Sequence, residues 1–345
     1  MVSISDVRDS NQLVKSSISA TPIAVFVGAT SGIGRISLID FVKYTSQPRI
    51  YIVGRSRDAA ELILTELAEI NSGGEYHFIY GDVSLLSTVD DVCAEIKIRE
   101  RYINLLFQSQ GTLDITSVTS EGFSLFQALS YYSRMRFTTN LLPLLQAAPS
   151  LRRVVTVLAG TKEGPIWAED IPGNRATPWR ARGHVASMVT LTLEQIAIQA
   201  PNISFIHDYP GHVKTPLVRT MKGVIGNVMK AILIVLPLFI NMDQMPIEDS
   251  GERHVYLSTS SMYPPKEGSN NPCESGVQLP DGLEICIGTE GKSGGGVYAV
   301  DAYNEGGGAA VQHVLRQLRE EGIREKVWHH LQEEFERVSR SKSSP

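Results

Sequence analysis

Short apolar, β-branched runs alternate along the chain with longer stretches of helical spacing. The runs predict strands over Ile23–Val27, Arg49–Val53, Tyr76–Tyr80, Asn104–Gln108, Arg153–Leu158, Ile203–His207 and Gly296–Val300. Between them, helical patterns occupy Arg57–Ile70, Thr88–Ile98, Gly122–Gln146 and Val185–Gln199. Repeated strand–helix alternation requires right-handed crossovers and a parallel sheet covered on both faces. The expected architecture is an α/β doubly wound parallel sheet, a Rossmann fold, with ligands at the carboxyl ends of its strands. No internal repeat is present.

The pattern changes after Leu217. Ser261–Gly295 is rich in Gly, Pro, Ser and Asn and reads as an irregular excursion, with a short strand near Leu283–Ile287. Gly308–Val338 reads as one or two charged amphipathic helices broken at Gly322, forming a long C-terminal extension. The apolar stretch Gly223–Ile240 is interrupted by Asn227, Lys230 and Pro237. A spanning helix needs about 20 apolar residues, so this stretch is expected to be a mobile lid over an apolar substrate, within a lid region at 216–245. Shallow membrane contact is the alternative. The organisation expected is a flexible tail over 1–20, a single domain over 21–338 with the excursion at 261–295, and a disordered tail over 339–345.

Composition narrows the function classes. The 345 residues are 42% apolar and carry a net charge of −5. With charges interspersed, no basic stripe suggests nucleic acid. The three cysteines, Cys93, Cys273 and Cys286, are too few and too scattered for a disulfide framework or a zinc site. Reduced thiols in a cytoplasmic protein with no metal is the reading adopted. The N-terminal residues lack the apolar core of a secretory signal.

"AVFVGATSGIGRISLIDF" (Ala24–Phe41) is a strand, a glycine-punctuated turn and the start of a helix. Gly28 permits the tight turn, Gly32 lets backbone N–H groups approach a pyrophosphate, and Gly34 lets the helix pack on the strand. A glycine trio alone is weak, but here it lies in the context that dinucleotide binding requires. Arg55 follows the second strand, where an Asp or Glu would select NAD; an Arg suits the 2′-phosphate of NADP. The alternative is a solvated surface arginine.

These residues resemble the short-chain dehydrogenase/reductase family. Its TGxxxGxG signature appears as "VGATSGIG", with Val27 for Thr. "GDVS" (Gly81–Ser84) follows the third strand, and the resemblance gives Asp82 an adenine contact. "YPGHVKT" (Tyr209–Thr215) is similar to the family's PGxxxT element, whose nicotinamide-side role carries to Pro210, Gly211, Val213 and Thr215. Gly28, Thr30, Ser31, Gly32, Ile33, Gly34 and Gly111 complete the implied cofactor set for NADP(H). The landmarks run in order from Pro22 to Leu217, and the tail resembles that of fungal members from secondary-metabolite pathways.

The catalytic landmarks do not match. The family's NNAG loop is "QSQG" (Gln108–Gly111), its helix asparagine falls on Ser130, and its serine falls on Ala159. YxxxK falls on "HVASM", so His184 stands for Tyr and Met188 for Lys. A free Tyr titrates near pH 10 and needs the adjacent Lys; a His titrates near 6.5 and does not. His184 is therefore a candidate acid/base, with Tyr132 and Thr161 as further candidates near the pocket. Each also has a bland reading as a packed or satisfied polar residue.

The long connection Gly160–Gly183, with Trp167 and Trp179, is of a length that is usually functional. It would help wall an apolar pocket for a polyketide or terpenoid intermediate. The leading expectation is an NADP(H)-dependent oxidoreductase acting on a hydrophobic carbonyl or hydroxyl metabolite. The rivals are a non-redox cyclisation or isomerisation on the same fold, and an inactive NADP-binding scaffold or sensor. Stable membrane insertion is not expected. The resemblance leaves a homodimer open, through the helices at Gly122–Gln146 and Val185–Gln199.

Overall fold

Seven strands form one all-parallel sheet in the order β3-β2-β1-β4-β5-β6-β9. They are β1 (Ile23–Val27), β2 (Arg49–Gly54), β3 (Glu75–Tyr80), β4 (Leu105–Gln108), β5 (Arg153–Val157), β6 (Ser204–Asp208) and β9 (Val297–Val300). A separate two-stranded ladder joins β7 (His212–Val213) to β8 (Gln244–Met245). The computed structural model describes residues 2–18, 21–175, 177–220, 244–267 and 275–343. The expected lid stretch Gly223–Ile240 lies outside the described residues.

β1, β4, β5 and β6 are buried along their whole length, which is why apolar residues on both faces dominate their centres instead of alternating with polar ones. One face is covered by α3 (Gly32–Tyr44), α4 (Arg57–Ile70) and α9 (Ile247–Thr259), through Phe41, Leu67 and Val255 among others. The opposite face is covered by α5 (Leu86–Arg99), α7 (Ser133–Gln146), α8 (Pro178–Gln199), α10 (Ala309–Glu320) and α11 (Ile323–Ser343). A short α6 (Leu125–Gln127) runs through a π-helical segment, Ala128–Tyr132, into α7. Strand order reverses between β1 and β4, so a crevice opens at their carboxyl ends.

Arg153, at the start of β5, is almost fully buried. Its guanidinium donates to the carbonyls of Leu257 and Ser260 at 2.8 Å and of Tyr263 and Ser275 at 2.9 Å. One side chain thus ties the end of α9 and both sides of the excursion to the sheet. Removing it leaves four carbonyls to find partners. Arg153→Met is expected to lower unfolding free energy by at least about 3 kcal/mol in urea titration; a loss below 1 kcal/mol would show that water replaces the guanidinium.

Several expectations need correction. Within the expected tail over 1–20, the described residues 2–18 are ordered: α1 (Ile4–Gln12) opens with a capping box between Ser3 and Asp6, and α2 (Val14–Ser17) follows. Val7 and Val14 are fully buried, and Asn11 donates to the carboxylate and carbonyl of Glu252 on α9. Polar residues outnumber these sparse apolar anchors, which hid the helix. At the other end, α11 continues through residues 339–343, held by buried Val338 and by Lys342 on Asp91 at 2.6 Å. Leu283–Ile287 is not a strand; it contributes a single bridge, Ile287 to Ser293, because the surrounding glycines turn the chain back at once. Gly322, at φ +69°, does separate two helices. α11 packs across α8 and α5, so the helix expected to face a second subunit carries this chain's own C-terminal helix. Among the described residues no helix is long and apolar enough to cross a membrane.

Candidate active site

A cavity of about 1040 Å³ occupies the crevice at the carboxyl ends of the strands. Gly28, Thr30, Ser31, Gly32, Ile33, Gly34, Arg55, Gly111, Pro210, Gly211 and Thr215 all line it. Asp82 and Val213 do not. Asp82 lies beside the wall, where Arg55 approaches it at 3.7 Å and Ser84 N–H donates to it at 3.1 Å. Val213 is engaged in the β7–β8 ladder.

The glycine turn is shaped by close approach. Gly28 has φ +81°, and a Cβ there would meet the Gln110 backbone N at 2.6 Å. Gly32 also has positive φ, at +59°. Ser31 caps α3 without a side-chain hydrogen bond, so the first-turn N–H groups stay free, and an N-terminus with free N–H groups attracts anions. A Cβ on Gly111 would meet nothing within 4 Å. The turn, the open space and the free amides together fit a dinucleotide.

Deeper in the cavity, His184 on α8 is held from three sides. Its Nε2 lies 2.8 Å from the carbonyl oxygen of Ile171. A carbonyl can only accept, so Nε2 carries the proton. The indole of Trp167 stacks on the ring at 5.6 Å between centroids. Gly173, at φ +73°, lies so close that a Cβ would come within 2.9 Å of Cδ2 and Nε2. Gln127 in turn donates to the Pro172 carbonyl, anchoring this loop. Nδ1 is buried and has no hydrogen-bond partner. Burial holds the His184 pKa below the ordinary imidazole value, against a smaller opposing effect from Ile171. The ring is therefore neutral at pH 7, with a lone pair on Nδ1. Gly173→Ala is expected to push the ring off this position and lower kcat about tenfold or more, with affinity for a dinucleotide in the glycine turn little changed. Steady-state kinetics check it; an unaltered kcat would show that ring placement is unimportant.

The other two candidate catalysts are placed differently. Tyr132 touches the cavity, but its hydroxyl hydrogen-bonds His330 Nε2 on α11 at 2.8 Å, and its ring packs on Phe123 at 4.3 Å. Burial raises its pKa far above that of a free phenol, which disfavours proton transfer. Thr161 does not line the cavity. Lys162 N–H closes a tight turn onto the Ala159 carbonyl at 3.1 Å, with Thr161 at φ +65°, and this carries the side chain away. Ala159 and Met188 do line the cavity, so neither a hydroxyl nor an amine stands at those positions.

Sequence reasoning missed Arg134. It is fully buried on α7, one turn beyond Ser130, and lines the cavity. Its guanidinium donates to the carbonyls of Leu129 (3.1 Å), Gln108 (3.0 Å) and Gln110. Burial brings its pKa down to about 9. The residue fastens the "QSQG" loop to the π segment, where one extra residue per turn exposes carbonyls.

No family model matches the chain. It is 37% identical to oxidoreductase andH of Emericella variicolor over 99% of both chains. It is 26% identical to the short-chain dehydrogenase/reductase SAT2 of Stachybotrys chartarum, covering 92% of this chain and 94% of that one. Among solved structures, L-sorbose reductase from Gluconobacter frateurii, complexed with NADPH and L-sorbose, superposes with a TM-score of 0.53 at 19% identity. The superposition covers 76% of this chain and 98% of that one. With full-length fungal relatives agreeing, the chain belongs to a family of fungal oxidoreductases, and its parallel sheet and glycine turn share the fold of the short-chain dehydrogenases/reductases.

Proposed function

We propose that this protein is an NADP(H)-dependent oxidoreductase of fungal secondary metabolism. In this reading it interconverts a hydroxyl and a carbonyl on an apolar metabolite, with His184 in place of the tyrosine. The observation that carries it is the fixed, neutral His184 in the cavity wall, with Nε2 committed to Ile171 and Nδ1 unpartnered. NADP(H), when bound, supplies or takes the hydride. The chain's residues handle the proton and the positioning. Gly28 to Gly34 and the amides of α3 would hold the diphosphate, and Gly111, Pro210, Gly211 and Thr215 would surround the other end of the cofactor. A neutral ring protonated at Nε2 can accept a proton at Nδ1 once substrate binding uncovers that buried atom, which suits oxidation of a hydroxyl; donation to a carbonyl requires the imidazolium.

Apolar walls from Leu129, Tyr131, Val185, Met188 and Leu217 leave room beside the cofactor for a bulky substrate. The full-length fungal relatives, oxidoreductases by name, support redox chemistry over the non-redox and scaffold alternatives. The deciding experiment is NADPH or NADP⁺ turnover with paired cyclic ketones and alcohols. Stoichiometric nucleotide conversion supports the reading, and chemistry that proceeds without nucleotide change removes it.

Arg55 carries the choice of phosphate. Its side chain is largely exposed at the cavity edge, with Asp82 as a loose partner. A charge-assisted hydrogen bond contributes about 1.5–3 kcal/mol, so Arg55→Glu is expected to weaken NADPH binding roughly 10- to 150-fold and to leave NADH binding nearly unchanged. Calorimetric titration with both nucleotides reads the ratio. Equal losses for the two would mean that Arg55 contacts no 2′-phosphate.

A further inference from the structure

We propose that the mouth of the cavity binds an anionic group carried by the apolar substrate. The proposal deepens the oxidoreductase reading and rests on it, because it takes the space beyond His184 as substrate space. Tyr209 lines the cavity just before the Pro210–Gly211 turn. The Lys162 ammonium lies 4.5 Å from the centre of its ring, and the Arg182 guanidinium 5.0 Å. The His212 ring meets the same phenol edge-on, with Nε2 3.5 Å from its hydroxyl. Two cations, a hydroxyl and an imidazole therefore converge around one aromatic ring.

Neither cation has a carboxylate partner among the described residues. The nearby acids are occupied elsewhere. Glu163, next to Lys162, turns inward to Thr190 Oγ1 at 2.7 Å, with His207 beyond. Asp208, next to Tyr209, is buried against His254 at 3.0 Å. Asp114 on the cavity wall accepts from the hydroxyls and amides of Thr116 and Ser117. Like charges held together without an anion repel one another, and an arriving anion relieves that repulsion.

The backbone builds this arrangement rather than leaving it to two mobile side chains. Gly164 N–H donates to the Gly183 carbonyl at 3.0 Å, which brings the Lys162 and Arg182 segments together; Arg182 and Tyr209 line the cavity, and Lys162 stands beside them against the Tyr209 ring. Gly183 has the Lys162 carbonyl within 3.2 Å of where a Cβ would stand, so a larger residue would part the two segments. The ligand class that fits is an apolar body bearing a carboxylate or a phosphate: the body lies against Val185 and Leu158, and the anion at Tyr209.

The test is calorimetry on NADPH-saturated protein with naphthalene-2-carboxylate, 2-naphthyl phosphate and naphthalene-2-carboxamide. At least one anion is expected to bind about fivefold to tenfold more tightly than the neutral amide, with the margin shrinking as salt is raised. A margin for the carboxylate assigns an acid, and a margin for the phosphate alone assigns a phosphorylated substrate. The double variant Arg182→Gln/Lys162→Gln, at partly exposed positions, is expected to bring the margin close to one. Equal binding of all three probes overturns the proposal, as does a margin that survives the double variant. A margin seen only without NADPH also overturns it, because the cations would then belong to the cofactor. If NADPH itself does not bind, the oxidoreductase reading fails, and the same probe series on cofactor-free protein still decides whether the mouth holds an anion.

Discussion

Replacing His184 with alanine is expected to lower turnover about 10²- to 10⁴-fold, the usual contribution of a positioned acid or base, with NADPH affinity expected to stay within about threefold. The asymmetry follows from placement. His184 lines the cavity on α8, and the glycines proposed to hold the cofactor line it between β1 and α3. The pH profile then reports the direction of the chemistry. Burial lowers the His184 pKa below its ordinary value, so the neutral ring is fully populated at pH 7 and is lost only as pH falls through that lowered value. Oxidation of a hydroxyl needs the neutral ring, and kcat/KM should stay flat from neutral pH down past 6.5 before falling. Reduction of a carbonyl needs the protonated ring and should gain rate over the same descent. Both profiles should vanish in the alanine variant. An alanine variant with the wild-type rate and profile removes His184 from the chemistry.

The parts of the molecule legible in sequence are those determined by neighbours along the chain. A strand, a glycine turn and a helix are contiguous, so the local structure of the Ala24–Phe41 stretch is legible without knowledge of the rest. Buried parallel strands show as apolar runs for the same reason. What escaped depends on partners far away in sequence. The Tyr132 hydroxyl points to His330 on α11, and nothing local distinguishes that from a catalytic phenol. The proton on His184 is placed by a carbonyl in a loop with little periodicity. α1 looks polar because its buried face consists of a few residues and its remaining contacts are hydrogen bonds to α9. Arg134 and Arg153 are each satisfied by backbone carbonyls, which no pairing of opposite charges in the sequence announces.

Gly28→Ala is expected to abolish measurable NADPH binding, a loss of at least about 100-fold in affinity, corresponding to the sum of backbone strain and overlap. At φ +81°, an alanine pays the left-handed penalty, and its Cβ falls 2.6 Å from Gln110 N and 2.7 Å from Gln110 Cα. Both neighbours are backbone and cannot rotate aside, so the turns after β1 and β4 must separate where the cavity floor is formed. The variant should lose thermal stability together with cofactor. Gly32→Ala separates these two effects. Gly32 also has positive φ, yet its nearest neighbour is the Thr215 side chain at 3.5 Å, an ordinary contact. The protein therefore has room for that methyl, and a diphosphate lying against the turn does not. Gly32→Ala carries the left-handed cost of roughly 1–2 kcal/mol without the overlap, so it should lower the melting temperature less than Gly28→Ala does and still lose NADPH. If instead it binds NADPH as wild type does, the diphosphate does not rest on this turn, and the cofactor assignment built on Gly28 to Gly34 fails even though the fold around it stands.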